Sequence, residues 1–142
     1  MPDAPTTAAS PLDAALRRVG DRWTLLVVGV LLDGPRRFGE VLEAVPGLAP
    51  NILSARLKAL ERDGLVVARA YSSRPPRHVY ELTEAGAELA ATIAVLAEWG
   101  ARRGDAAGPL VHEECGTPLE TRWWCPGCER PVDPEEGEEH VV

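Results

Sequence analysis

The chain's only three cysteines lie in the run VHEECGTPLETRWWCPGCERPVD near the C-terminus. His112 and Cys115 stand three positions apart, and Cys125 and Cys128 repeat that interval after nine intervening residues. Zinc takes four nitrogen or sulfur donors in a tetrahedron, and a C-x-x-C turn offers two thiolates at one bend. Pro126 and Gly127 are suited to shape such a turn. The spacing therefore points to one structural Zn2+ per chain, held by His112, Cys115, Cys125 and Cys128. Leu110–Pro134 is poor in apolar residues, and a segment of that size needs a metal or disulfides to fold. Two other readings stay open. Cys125 and Cys128 could be a thiol–disulfide pair, although the βαβ setting of that motif is absent, or the spacing could be coincidence. His112 is the weakest ligand, since His140 or a water could take the fourth position. The nine residues between the pairs have room for a short hairpin containing Trp123 and Trp124, two residues suited to packing the appendage against a helix.

The elements ahead of this run must explain what it is attached to. A chain of 142 residues with 45% apolar content holds one domain with a real core and a small appendage. No secretory pattern is visible at the start, and Trp23–Leu32, the most apolar segment, is shorter than the roughly 20 residues a membrane span needs. The expectation is a cytoplasmic protein with no membrane partner. The net charge of −7 is unevenly placed. Residues 1–110 carry 13 basic and 13 acidic groups, and residues 111–142 carry 2 and 9. Gly34–Tyr80 is locally positive, with 8 basic groups against 4 acidic. The acidity belongs to the tail and leaves room for a polyanion-binding surface elsewhere.

Residues 1–9 read as a flexible arm. Ser10 caps a first helix with Pro11 at its first position, and Gly20 follows its end. Asp21 caps a second helix running to Leu32, apolar nearly all round and so expected at the centre. Phe38–Val45 forms a short third helix, and a fourth runs from about Ala49 to Asp63. LVVARAY and HVYEL make a hairpin across SSRPPR. Thr83 caps one long final helix from Glu84 to about Arg103, with Leu89, Ile93 and Leu96 on one stripe and Val95 and Trp99 on another. The order α-α-α-α-β-β-α is a mainly α fold with a small β-hairpin (α+β). The expected divisions are 10–104 for the main domain, 109–134 for the metal-binding appendage and 135–142 for an acidic flexible tail.

Two helices joined by PGLAP suggest a helix-turn-helix. On the fourth helix Leu53, Leu57 and Leu60 share one side, while Asn51, Ser54, Ala55, Lys58 and Arg62 fall opposite. Asn can bond adenine with two hydrogen bonds, Ser can bond either partner, and Ala can touch a thymine methyl. Asn51, Ser54 and Ala55 are thus the candidate base contacts, and Lys58 and Arg62 suit phosphates. Any amphipathic surface helix has a polar face, so this helix alone decides little. The hairpin adds weight: Arg69, Arg74, Arg77 and His78 cluster with no acid between Asp63 and Glu81. Together with Arg36 and Arg37 they are the remaining candidate phosphate contacts. Arg56 lies beside the apolar face and should pair with an acid such as Glu40 or Glu43.

From about Ser10 to Gly100 the chain resembles the HxlR-type family of bacterial winged-helix transcription regulators, relatives of the MarR group. RWTLLV, LLDGPRRFGEV (with Val41 where the family often has Leu), LSARLKALERDGLV and YELTEAG carry the resemblance. It implies a homodimer built largely on the terminal helices and bound to a pseudo-palindromic operator in double-stranded DNA. The recognition helix would be 50–62 and the wing 69–80. CG…WCPGC further resembles a zinc ribbon found as a C-terminal extension in some such regulators. Many family members have a Cys before the Pro of the first helix, and in some it senses electrophiles or oxidants. This chain has Ser10 there, so a thiol switch at that position is excluded.

The expected function is DNA-binding transcription regulation without enzymatic activity. None of the three His residues accompanies a Ser or Cys nucleophile recognisably, and no Gly-rich phosphate loop is present. The rival readings are a winged-helix module that docks protein, and a metal- or thiol-responsive sensor with the cysteine tail as input. No small-molecule effector is named by the sequence.

Overall fold

The computed structural model describes residues 10–104, 108 and 110–137. The arm expected at 1–9, the end of the tail at 138–142, and His140 lie outside the described residues. The chain divides into two compact units, Ala15–Ile93 and a second comprising Ala94–Val142 with Met1–Ala14.

The helices start and stop where the local sequence signals it. α1 (Pro11–Val19) begins where Ser10 Oγ accepts the Asp13 N–H at 3.1 Å. α2 (Arg22–Leu32) is capped by Asp21, whose Oδ1 accepts from Trp23 N at 3.0 Å and Thr24 N at 3.1 Å. These bonds satisfy donors that have no partner inside the helix. β1 (Arg36–Arg37) leads into α3 (Phe38–Ala44), where Glu40 Oε2 accepts the Arg37 N–H at 2.6 Å. α4 (Pro50–Arg62) starts with Pro in its first turn, and Gly64 follows it at φ +72°, a left-handed conformation that suits glycine.

β2 (Val66–Ser73) and β3 (Pro76–Leu82) pair antiparallel, and β1 pairs with the other edge of β3 to give the order β1-β3-β2. β1 has no counterpart among the expected elements, because two arginines carry no alternating pattern of their own. The wing loop is also shorter than the expected SSRPPR. The strands extend through Ser73 and Pro76, leaving Arg74 and Pro75 at the tip, joined by a cis peptide bond.

The core is one cluster. Val27, Val28 and Leu31 of α2 meet Val41, Val45 and Leu48 from α3 and its following turn, Leu53, Leu57 and Leu60 of α4, and Val66 of β2. α2 is central on that side only, since Leu26 remains 42% exposed. The single long final helix is also corrected. α5 (Glu84–Ala87) and α6 (Leu89–Arg103) are separated at Glu88. Thr83 caps α5 through Gly86 N at 3.1 Å, and its hydroxyl donates to the Gly64 carbonyl at 2.6 Å. Leu89 and Ile93 pack against the core, while Leu96 is 48% exposed and leaves the stripe assigned to it.

In the second unit none of the described residues is buried. It holds the C-terminal part of α6, an isolated bridge between Val111 and Pro118, and a ribbon of β4 (Trp123–Cys125) with β5 (Arg130–Val132). The tryptophans lead into the CPGC turn and are not in a hairpin between the two Cys-bearing turns. The first residues of the segment expected as an acidic tail are among those described. Pro134–Glu136 is a 3-10 turn, and Glu136 lies 2.8 Å from Arg130 as an ion pair. The fold is therefore mostly helical with a hairpin wing and a small two-stranded C-terminal sheet.

Candidate nucleic-acid interface

α4 divides as its sequence requires. Leu53, Leu57 and Leu60 are buried, whereas Asn51, Ala55, Lys58 and Arg62 are exposed and Ser54 is half-buried. The exposed polar and small residues share the face opposite the core, free to meet a groove. Arg56 does not pair with Glu40 or Glu43. Its Nε lies 2.9 Å from Asp21 Oδ1, as an ion pair without the alignment of a hydrogen bond. Glu40 is already committed to the Arg37 N–H at the start of α3.

The wing keeps part of its basic charge occupied. Arg69 Nε donates to Glu81 Oε2 at 2.8 Å across the hairpin, so its cation is shared with a carboxylate. Arg74, Arg77 and His78 are exposed, and Arg74 sits at the tip. Between Ala70 and Ser72 the register shifts, which makes Tyr71 the extra residue of a bulge. A bulge re-aims a side chain, and here the Arg37 guanidinium lies 5.0 Å from the centre of the Tyr71 ring. That contact links the start of α3 to the wing. Both sides line a cleft of about 500 Å3 with Glu43, Arg77, His78 and Tyr80. Burial first, and then the Glu61 carboxylate, pushes the Tyr80 phenol above its ordinary pKa. The contacts of Tyr71 and Glu81 with these arginines are not legible in the sequence. A bulge leaves no mark in a run of residues that all suit a strand, and the partner of Arg69 depends on strand register.

At the C-terminus, His112 Nδ1 lies 3.3 Å from Cys115 Sγ, and Cys115 Sγ lies 3.1 Å from Thr117 Oγ1. Hydrogen bonds from the Thr117 side chain and then its backbone hold the Cys115 thiol below its ordinary pKa. The Cys128 backbone, followed by its side chain and the Gly127 backbone, does the same for Cys125. The structure brings the four residues together as two pairs. Among the described residues no three His, Cys, Asp or Glu side chains are gathered closely enough to hold one ion.

The model of the HxlR-like helix-turn-helix family matches residues 18–107, spanning α4, the hairpin and α6. The chain belongs to this family. It is thus a helix-turn-helix transcriptional regulator, from a class that acts by binding and not by catalysis. An uncharacterized HTH-type transcriptional regulator of Mycobacterium tuberculosis is 42% identical over 132 residues, covering 87% of this HxlR-like chain and 83% of the relative. The HTH-type transcriptional regulator YodB of Bacillus subtilis is 32% identical over 108 residues, covering 76% and 96%. Among solved structures, the redox regulator HypR in its oxidized form superposes with a TM-score of 0.63 at 31% identity, covering 68% of this chain and 99% of that one. A Pseudomonas aeruginosa protein solved as a candidate transcription factor gives 0.69 at 31% identity, covering 91% and 90%. The match to the HxlR-like model ends ahead of both Cys-bearing turns. Among the described residues no helix is long and apolar enough to cross a membrane.

Proposed function

We propose that this regulator binds a pseudo-palindromic operator as a homodimer, with α4 in the major groove and the wing on the sugar–phosphate backbone. The observation that carries the reading is the division of α4. One face is closed into the core by three leucines, and the other presents Asn51, Ala55, Lys58 and Arg62 to solvent. Groove reading needs such a helix, anchored on one side and furnished with short polar and small groups near its N-terminus. The same reading assigns Asn51, Ser54 and Ala55 to bases. Arg36, Arg37, Lys58, Arg62, Arg74, Arg77 and His78 serve the phosphates, with Arg69 in a lesser role because of Glu81.

Support for the homodimer comes from α6. Val95 is 43% exposed and Trp99 52% exposed, on a helix whose earlier residues already contact the core. A helix with apolar groups outside its core-facing stripe needs another surface to cover them. An electrophoretic shift on DNA from the protein's own promoter, with random DNA as competitor, tests the reading. A retarded band that resists the competitor supports operator recognition. No preference over random DNA at any salt concentration would favour the protein-docking module instead.

A further inference from the structure

The two Cys-bearing turns have the same construction, position by position. In the first, His112 N donates to the Thr117 carbonyl at 2.9 Å, Gly116 N donates to the His112 carbonyl at 2.8 Å, and the Val111–Pro118 bridge lies just outside. In the second, Cys125 pairs with Arg130, and Trp124 with Pro131 just outside. Each turn thus has a donor side chain at its opening position and a cysteine three residues later. A left-handed residue follows that cysteine, Gly116 at φ +67° and Glu129 at φ +51°. The pairing partner comes next, Thr117 or Arg130. Glu129 is the one described residue other than glycine with positive φ. L-residues disfavour that conformation, so its occurrence at the place Gly116 occupies in the other turn marks a shared geometry.

We propose that these hairpins are the two halves of one zinc site, with His112 ligating through Nδ1 beside Cys115, Cys125 and Cys128. The separation within the first pair fits this assignment. Ligand bonds of about 2.3 Å to sulfur and about 2.0 Å to nitrogen at a tetrahedral angle place N and S roughly 3.5 Å apart. His112 Nδ1 and Cys115 Sγ stand at 3.3 Å. The surroundings give the metal a purpose. No described residue from Ala94 onward is buried, so no apolar core holds the hairpins. A two-stranded ribbon is marginal in water by itself. Closing the halves around zinc would cross-link residues 112 to 128 and supply the missing stability. The site is a closed, four-ligand structural one, with no position left for a reacting water.

The full-length protein, purified under reducing conditions, is to be assayed for zinc and then exchanged with Co2+. The expected result is one metal per chain, with thiolate-to-cobalt charge-transfer absorption and the intense d–d bands of a tetrahedral centre. Cys115→Ser, Cys125→Ser and Cys128→Ser should each abolish stoichiometric binding. Long-range 15N NMR of His112 in the zinc protein should place the proton on Nε2 and the metal on Nδ1. Retention of stoichiometric metal by Cys115→Ser would overturn the shared site. So would a metal-free wild-type protein that stays metal-free when Zn2+ is added with the thiols reduced. A proton fixed on Nδ1 of the zinc protein would remove His112 from the ligand set as assigned.

Discussion

Arg56 of α4 and Asp21 at the start of α2 meet at 2.9 Å, through the same carboxylate oxygen that caps α2. One side chain therefore closes a helix terminus and also ties it to the helix that faces outward with Asn51 and Ala55. The ion pair is about a third exposed on both sides, so its own contribution is below about 1 kcal/mol.

Losing the cap should matter more than losing the pair. Asp21→Ala should cost about 1–2 kcal/mol of stability, while Asp21→Asn, which keeps a capping oxygen, should cost less than about 1 kcal/mol. Arg56→Ala should resemble Asp21→Asn. Urea denaturation midpoints compare the three. Equal losses for Asp21→Ala and Asp21→Asn would show that the charge, and not the cap, is the important element.

Gly86 is required by close approach. A Cβ there would stand 2.1 Å from the Leu65 carbonyl oxygen, which itself accepts the Thr83 N–H at 3.0 Å. Gly86→Ala should therefore destabilise the protein by roughly 3 kcal/mol, as overpacking against backbone does. Gly29→Ala, where nothing lies within 4 Å, should stabilise α2 by up to about 1 kcal/mol. Thermal unfolding of both variants checks the contrast, which fails if their melting temperatures move together.

DNA affinity should fall steeply with salt, at a slope of about 0.9 per phosphate neutralised. Arg74→Ala and Arg77→Ala should each weaken binding to all sequences alike and flatten that slope. Arg69→Ala should have a smaller effect, because Glu81 already holds its guanidinium. Glu81→Gln should release it and raise non-specific affinity. A salt titration of all four variants decides, and a slope unmoved by Arg74→Ala and Arg77→Ala would take the wing off the backbone.

Asn51→Ala and Ser54→Ala should relax specificity at one or two operator positions, each by about 1–3 kcal/mol of discrimination. Binding to random DNA should hardly change. Parallel titrations on operator and scrambled duplexes provide the measurement, and matching losses on both would remove this face from the groove.

Trp99→Asp and Val95→Asp should dissociate the proposed homodimer, as read by sedimentation at micromolar concentration, with the fold retained in circular dichroism. A wild-type monomer at that concentration would contradict both the dimer and the palindrome.

Local chemistry determined most of the helical part from the sequence. Ser10, Asp21, Pro50, Gly64 and Thr83 start or stop helices through bonds to their immediate neighbours, and leucines at helical spacing select the buried face of α4. The twin spacing of His112, Cys115, Cys125 and Cys128 was legible for the same reason, since each turn closes within six residues. What only the tertiary structure decided depends on distant partners. β1 exists because Arg36 and Arg37 meet Tyr80 and Val79, far away in the chain. Arg56 meets Asp21 because the packing of α4 against α2 sets its guanidinium beside the start of α2, and Arg69 meets Glu81 through strand register. Tyr71 faces Arg37 only because a bulge turned it. Sequence periodicity records which face of an element is apolar, but the partner of a charged side chain is chosen by geometry that forms when elements separated in the chain are packed together.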